Sequence, residues 1–222
     1  MPRIARQRAI RLKRRDLSAC CAGHGLTLIA DEVFADYRQA AAAGCPATVL
    51  TDATCLTVSL GGLSKAVGLP QLKLAWMAVT GPDAEARDLL DRLELVGDSF
   101  LSVGTPIQAA LPAILAGGAV VREQIRARLT QNLVALRCRL LAAPAIHLLE
   151  PAGGWTAVLR VPSMAGEEAL ALDLLQRQHV IVQPGYFYDF TNEAWLIVSL
   201  LVDPDTFARG IDLIVAATAM RI

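Results

Sequence analysis

Short apolar runs alternate with amphipathic stretches along most of this chain, and the alternation sets out its elements. Residues 14–23 read as a helix that Gly25 ends. LTLIA (26–30) is a short continuous apolar run, the pattern of a strand buried on both faces. CLTVSL (55–60) is a second such run and LKLAWMAVT (72–80) a third. GPDAEARDLLDRLEL then opens a helix with acids in its first turn, where the helix dipole favours negative charge. From Thr105 to about Leu141 the pattern is mostly helical, and Gly117-Gly118 is expected to kink that helix or split it in two. IHLLEP and WTAVLRVP read as strands joined by a Gly-Gly turn, with a helix over 167–178 behind them. VIVQPG and WLIVSLL read as further strands, and PDTFARGIDLIVAATAM as a closing helix. The expected fold class is α/β: a partial, mostly parallel sheet with flanking helices over 1–125, then a smaller α+β unit over 126–222.

Composition narrows the partners. Twenty-one Lys and Arg balance 21 Asp and Glu, so no net charge calls for nucleic acid or an anionic membrane. Apolar residues make up 54% and mean hydropathy is +0.43, which implies surface meant to be covered by something else, a partner subunit being one candidate. The longest uncharged stretch, Ser99–Val121, is broken by Gly104, Pro106, Pro112 and Gly117-Gly118 and is a poor bilayer span. The basic start, MPRIARQR, lacks the apolar region of a signal peptide. Five cysteines, odd in number and without CxxC spacing, read as reduced, buried thiols of a cytoplasmic protein rather than as a disulfide frame or a metal site.

Chemistry gathers where the apolar runs end. Asp31 follows LTLIA, and in open α/β sheets ligands bind beyond the carboxyl ends of strands. Lys65 follows the next run through GGLSK, in what reads as a tight turn into the first turn of a helix. A cation there opposes the dipole, so its amine is more easily deprotonated, as Schiff-base chemistry with an aldehyde requires.

LIADEVFADY, SLGGLSKAVGLPQLKLAW and VQPGYFYDF together resemble the pyridoxal-phosphate (PLP) aminotransferases of fold type I, the class I/II aminotransferase family. The likeness runs from about residue 14 to the C-terminus, and its most specific part joins Ser-Lys, a Gly-Leu-Pro turn and a following cation. It implies that Lys65 forms the Schiff base with pyridoxal 5′-phosphate and then moves the proton between the substrate Cα and the cofactor C4′. Asp31 is implied to pair with the pyridinium nitrogen, keeping the ring able to accept electrons. Lys73 stands where the family usually has an arginine on the cofactor phosphate, and a lysine neutralises without the bidentate fork. Ser64 is placed either to donate to the same phosphate or to cap the helix.

Two positions depart from the family. A tyrosine commonly donates to the cofactor's phenolic oxygen from the position of Phe34. The arginine that grips the substrate carboxylate falls on Ile197, or on Val198 if the alignment slips by one, and Arg209 nearby reads as solvated surface. Tyr186 and Tyr188 either line the substrate mouth or pack as ordinary aromatics. The family's glycine-rich phosphate cradle, ring-stacking aromatic and asparagine have no counterpart, and MPRIARQRAIRLK stands where they would lead in. The expectation is a chain lacking the N-terminal part. The resemblance further implies a homodimer, with FLSVGTPIQAA (100–110) reaching the neighbouring site, and amino acid and keto acid substrates. Amino-group transfer is the leading reaction. A C–S lyase or decarboxylase of the same fold, and an inactive subunit without cofactor, stay open.

Overall fold

The computed structural model describes residues 14–39, 48–51, 54–162, 166–190 and 194–219. They fall into two compact units. The first holds residues 14–36 and 48–123 of those described, and the second 37–39 and 124–219.

The first unit is built on a three-stranded sheet, β1 (Leu28–Asp31), β2 (Thr57–Gly62) and β3 (Ala75–Thr80), in that spatial order. β1 and β2 run parallel, pairing Leu28 with Thr57 and Asp31 with Leu60. The expected mostly parallel sheet changes direction at β3, which pairs antiparallel with β2 from Thr57↔Thr80 to Gly62↔Ala75. Only residues 63–74 join the two strands. They fold back on themselves, Leu63 N–H donating to Leu74 O at 3.0 Å, and return the chain along the edge of β2.

β2 is the buried strand, with Thr57, Val58 and Ser59 all inaccessible. β1 is not buried on both faces as its apolar run predicts: Ile29 is 65% exposed, and β1 is an edge of this sheet among the described residues. The Gly-Gly pair read as a turn is instead the extended end of β2. Its reason is cross-strand packing, since a Cβ on Gly61 would lie 2.4 Å from Trp76 Nε1.

Helices α1 (Arg14–Gly23), α3 (Asp83–Gly97) and α4 (Thr105–Leu140) stand close to where the periodicity puts them. α4 is one continuous element through Pro112, Gly117 and Gly118, so the Gly pair does not split it in two. Its positions Ile107, Leu111, Ile114 and Leu115 form the helical stripe that packs against the buried Leu63, Val67 and Leu74. Gly118 extends that stripe by having no side chain: a Cβ there would meet Val67 Cγ1 at 2.1 Å, whereas one on Gly117 meets nothing within 4 Å. Gly118→Val should therefore cost about 2 kcal/mol through overpacking. Gly117→Ala should gain about 0.5–1 kcal/mol of helix propensity. Urea unfolding of the two variants checks the contrast in sign.

The second unit carries a four-stranded antiparallel sheet in the order β4 (His147–Leu149), β5 (Thr156–Arg160), β7 (Trp195–Ser199), β6 (Gln183–Pro184). One face presents Ala157, Leu159 and Leu196, all fully buried. α5 (Glu167–Gln178) and α6 (Pro204–Ala219) add Leu170, Leu174, Ile211 and Ile214 to the core. Asn132 of α4 ties down the chain after β7, its Nδ2 donating to Leu200 O at 2.9 Å and Val202 O at 2.7 Å. Tyr37 meets Trp155 edge to face at 5.3 Å.

The thiol reading holds in part. Cys21 and Cys55 are buried, Cys20 and Cys138 are exposed at helix surfaces, and Cys45 lies outside the described residues. No helix among the described residues is long and apolar enough to cross a membrane.

Candidate active site

In the first unit, β1 and β2 end side by side because their parallel register sets Asp31 opposite Leu60, two residues before Gly62. The chain leaves β2 into α2 (Leu63–Ala66), a single turn that bears Ser64 and Lys65. Its cap residue is Gly62, so Ser64 lies inside the turn and the capping alternative for its hydroxyl does not hold. The dipole argument for Lys65 also fails. A four-residue helix places Lys65 in its last turn as much as its first, and so short a turn has almost no macrodipole to oppose a cation.

What places Lys65 is packing. Leu63 and Val67, on either side of it, are anchored in the core, and Leu63 O accepts the N–H groups of both Val67 (3.2 Å) and Leu69 (3.1 Å). Lys65 is half-buried, with Nζ 5.3 Å from the centroid of the half-buried Phe34 ring. Phe34 and Lys65 are thus brought together although 31 positions apart in sequence.

Asp31 is exposed beyond its strand, and its Oδ1 accepts the N–H of Val33 at 3.2 Å. The neighbouring Glu32 escaped the sequence reading and is the more heavily bonded acid. Its Oε1 accepts from Val49 N–H at 2.7 Å, and its Oε2 from Thr48 Oγ1 at 2.7 Å and Ser59 Oγ at 2.5 Å. The carboxylate locks the exit of β1 to the buried strand β2, which fixes the backbone from which Asp31 projects. Lys73 is exposed and follows a 3-10 turn over Pro70–Leu72. Its backbone is left-handed (φ 52°, ψ 32°), a conformation that costs a residue with a Cβ about 1–2 kcal/mol.

The remaining candidates belong to the second unit. Tyr186 and Tyr188 lie in a 3-10 turn, Gly185–Tyr188, that links β6 to the approach to β7. Tyr186 is exposed and meets Phe187 edge to face at 4.7 Å, while the Tyr188 hydroxyl donates to Gln183 Oε1. Holding this turn is Glu167, only 4% exposed, which the sequence shows merely as an acid at a helix start. Its Oε1 accepts from Tyr186 N–H at 2.7 Å and its Oε2 from Trp195 N–H at 2.8 Å. Ile197 is 2% exposed at the centre of β7 and Val198 is buried beside it, so neither offers a cation. Arg209 is exposed on α6.

A family model described as aminotransferase class I and II matches residues 12–214. The chain belongs to that family. Alanine aminotransferase of Mycobacterium tuberculosis is 29% identical over 170 residues, which are 73% of this chain and 39% of that protein. Glutamate-pyruvate aminotransferase of Haemophilus influenzae is 26% identical over 136 residues, 59% of this chain and 34% of its own. The chain thus spans less than half the length of the curated relatives it matches. Among solved structures, tyrosine aminotransferase from Leishmania infantum superposes with a TM-score of 0.78 at 20% identity, covering 95% of this chain and 53% of that one. A PLP-bound aminotransferase from Clostridium difficile gives 0.75 at 17%, covering 92% and 53%. The fold is accordingly that of the fold type I aminotransferases.

The donor set of the first unit suits PLP. An aldehyde calls for an amine, which Lys65 supplies, and a pyridinium nitrogen calls for a carboxylate, which Asp31 presents at a strand end. A phosphate calls for cations and hydroxyls, and Lys73 and Ser64 stand on the two turns that follow β2.

Proposed function

We propose that this chain bears the lysine and the acid of a PLP-dependent aminotransferase that moves an amino group from an amino acid to a keto acid. The observation that supports this most is the pairing of β1 and β2, which sets Asp31 and Lys65 at neighbouring carboxyl ends of two parallel strands in a member of this family. The bound cofactor supplies an electron sink for the substrate α-carbon. Lys65 holds the cofactor through its Nζ and afterwards carries a proton between the substrate Cα and the cofactor C4′. Asp31 keeps the ring nitrogen protonated. Lys73 meets the phosphate as a point charge and Ser64 donates its hydroxyl. Phe34 packs against Lys65 and has no donor for the phenolic oxygen. Tyr186 and Tyr188, on a turn of the second unit, are the candidate substrate-lining residues.

Alanine, glutamate and pyruvate are the first substrates to test, because they are named by the curated relatives. The chain acts as a homodimer in the cytoplasm. Self-association is supported by Leu95, Val96, Phe100 and Leu101, all exposed and within seven residues of sequence. A lyase or decarboxylase of the same fold is the second reading, favoured by the buried Ile197 where a carboxylate-binding arginine would stand.

Adding PLP to the purified chain and recording its visible absorbance tests the proposal. A new visible band is expected, saturating only at micromolar PLP or above. One ammonium and one hydroxyl leave most phosphate oxygens to water, and each missing contact is worth about 1 kcal/mol, with about 1.4 kcal/mol making a tenfold change. Absence of any band would leave only the reading of a subunit without cofactor. With a band in hand, a panel of amino and keto acids separates amino transfer from lyase or decarboxylase chemistry.

A further inference from the structure

An amino acid or keto acid carries a carboxylate, and position 197 gives it no cation. The register of the second unit shows where one is available. β5 and β7 pair Val158 with Ile197 and Arg160 with Trp195, and β4 and β5 pair His147 with Arg160. Side chains directly opposite, and those two residues along, share a face of a sheet. His147, Arg160, Trp195 and Ile197 therefore lie on one face, with Arg160 a single cross-strand pair away from Ile197.

Arg160 has the features of an anion receptor. Its guanidinium carbon sits 6.0 Å from the centroid of the Trp195 ring, at the outer reach of a cation–π contact, which uses none of its N–H groups. Trp195 is itself stacked on Phe190 at 4.9 Å and held at its backbone by the buried Glu167, so the platform is fixed. Arg137, Arg139 and Arg177 each pair with a carboxylate at 2.6–2.9 Å, whereas Arg160 has no such partner among the described residues. Among the described residues, Arg160 and His147 are the only charged or titratable side chains lining an open cleft of about 430 Å³, whose other walls are Ala145, Val161, Pro162 and Ala194. Ala194, in that wall, holds a positive φ of 85°.

We propose that this cleft binds the carboxylate of an amino acid or keto acid, with Arg160 as the anchoring cation and His147 as a second donor. The ligand class rests on the aminotransferase reading. The site itself rests on the sheet register, the guanidinium–indole contact and the cleft. It moves the cation one cross-strand pair along the face on which Ile197 lies.

Titrating the full chain with pyruvate while following the Arg160 Nε–H, His147 ring and Trp195 indole signals by NMR tests the site. The expected result is saturable shifts at all three, weakened about tenfold or more by Arg160→Gln, since a charge-assisted bidentate contact is lost. Arg160→Lys should fall between, keeping the charge without the fork. Inorganic phosphate serves as the competing anion and acetamide as the neutral control. Shifts that never saturate, pyruvate binding unchanged in Arg160→Gln, acetamide binding equal to pyruvate, or phosphate binding as tightly as pyruvate would each overturn the carboxylate site. No cofactor or turnover enters this measurement. A missing PLP band with intact pyruvate binding counts against the aminotransferase reading alone, and the reverse counts against the Arg160 site alone.

Discussion

Glu167→Ala is expected to destabilise the second unit by about 3 kcal/mol and to free the turn that carries Tyr186. Two backbone N–H groups, those of Tyr186 and Trp195, converge on this one carboxylate at 2.7 and 2.8 Å. Alanine removes both acceptors at a site water reaches poorly, and a hydrogen bond to a charged group is worth about 1.5–3 kcal/mol. Gly185 is already so close that a Cβ on it would lie 2.6 Å from Trp195 Cβ and 3.2 Å from Glu167 Oε2. Glu167→Gln keeps one acceptor and sets an amide N–H₂ against the second donor, so a smaller loss of about 1.5 kcal/mol is expected. Chemical unfolding gives the energies. Amide hydrogen exchange at Tyr186 and Trp195 should accelerate in both variants, and more in the alanine one. An alanine variant within about 0.5 kcal/mol of the parent, with protection at both amides retained, would remove Glu167 from the positioning role.

Lys65→Ala is expected to abolish covalent capture of PLP and to lower any amino-transfer activity by at least about 10²–10⁴-fold, the range that a positioned acid–base group contributes. Stability should fall by no more than about 0.5–1 kcal/mol, because what is lost structurally is one half-buried stem and its contact with the Phe34 ring. The disparity between a large chemical effect and a small structural one marks a residue placed for chemistry. Lys65→Arg sharpens the point: it keeps a cation over Phe34 but has no amine able to condense with an aldehyde. A Lys65→Arg variant that still develops the visible PLP band would show that another amine is responsible.

The sequence pattern is most informative where one residue type must do one thing. The run into β2 with Ser64-Lys65 behind it, Asp31 at a strand end, and the boundaries of α1, α3 and α5 all follow from periodicity and punctuation. Features that depend on pairing are not legible. LTLIA looks like a doubly buried strand because Leu and Ile are apolar, but whether a neighbour covers Ile29 is a property of the sheet. The antiparallel return of β3 depends on how residues 63–74 fold back, and the Gly61-Gly62 pair reflects room for Trp76 rather than a turn. Gly117-Gly118 resembles a helix breaker, yet Gly118 is where α4 comes closest to Val67. The acids that brace the candidate residues of each unit, Glu32 in the first and Glu167 in the second, were missed because their partners are mostly backbone N–H groups and small hydroxyls far away in sequence. Arg160 is invisible for the same reason, since only the strand register places it beside Trp195 and on the face of Ile197.

Borohydride reduction of the PLP-treated chain, followed by peptide mapping, bears most directly on the role of Lys65. The chain has three lysines, Lys13, Lys65 and Lys73, so the outcome is unambiguous. A pyridoxyl label on Lys65 alone is expected, because it is the one that follows a buried strand in the turn facing Phe34. A label on Lys13 or Lys73 instead, or spread evenly over all three, would contradict the assignment.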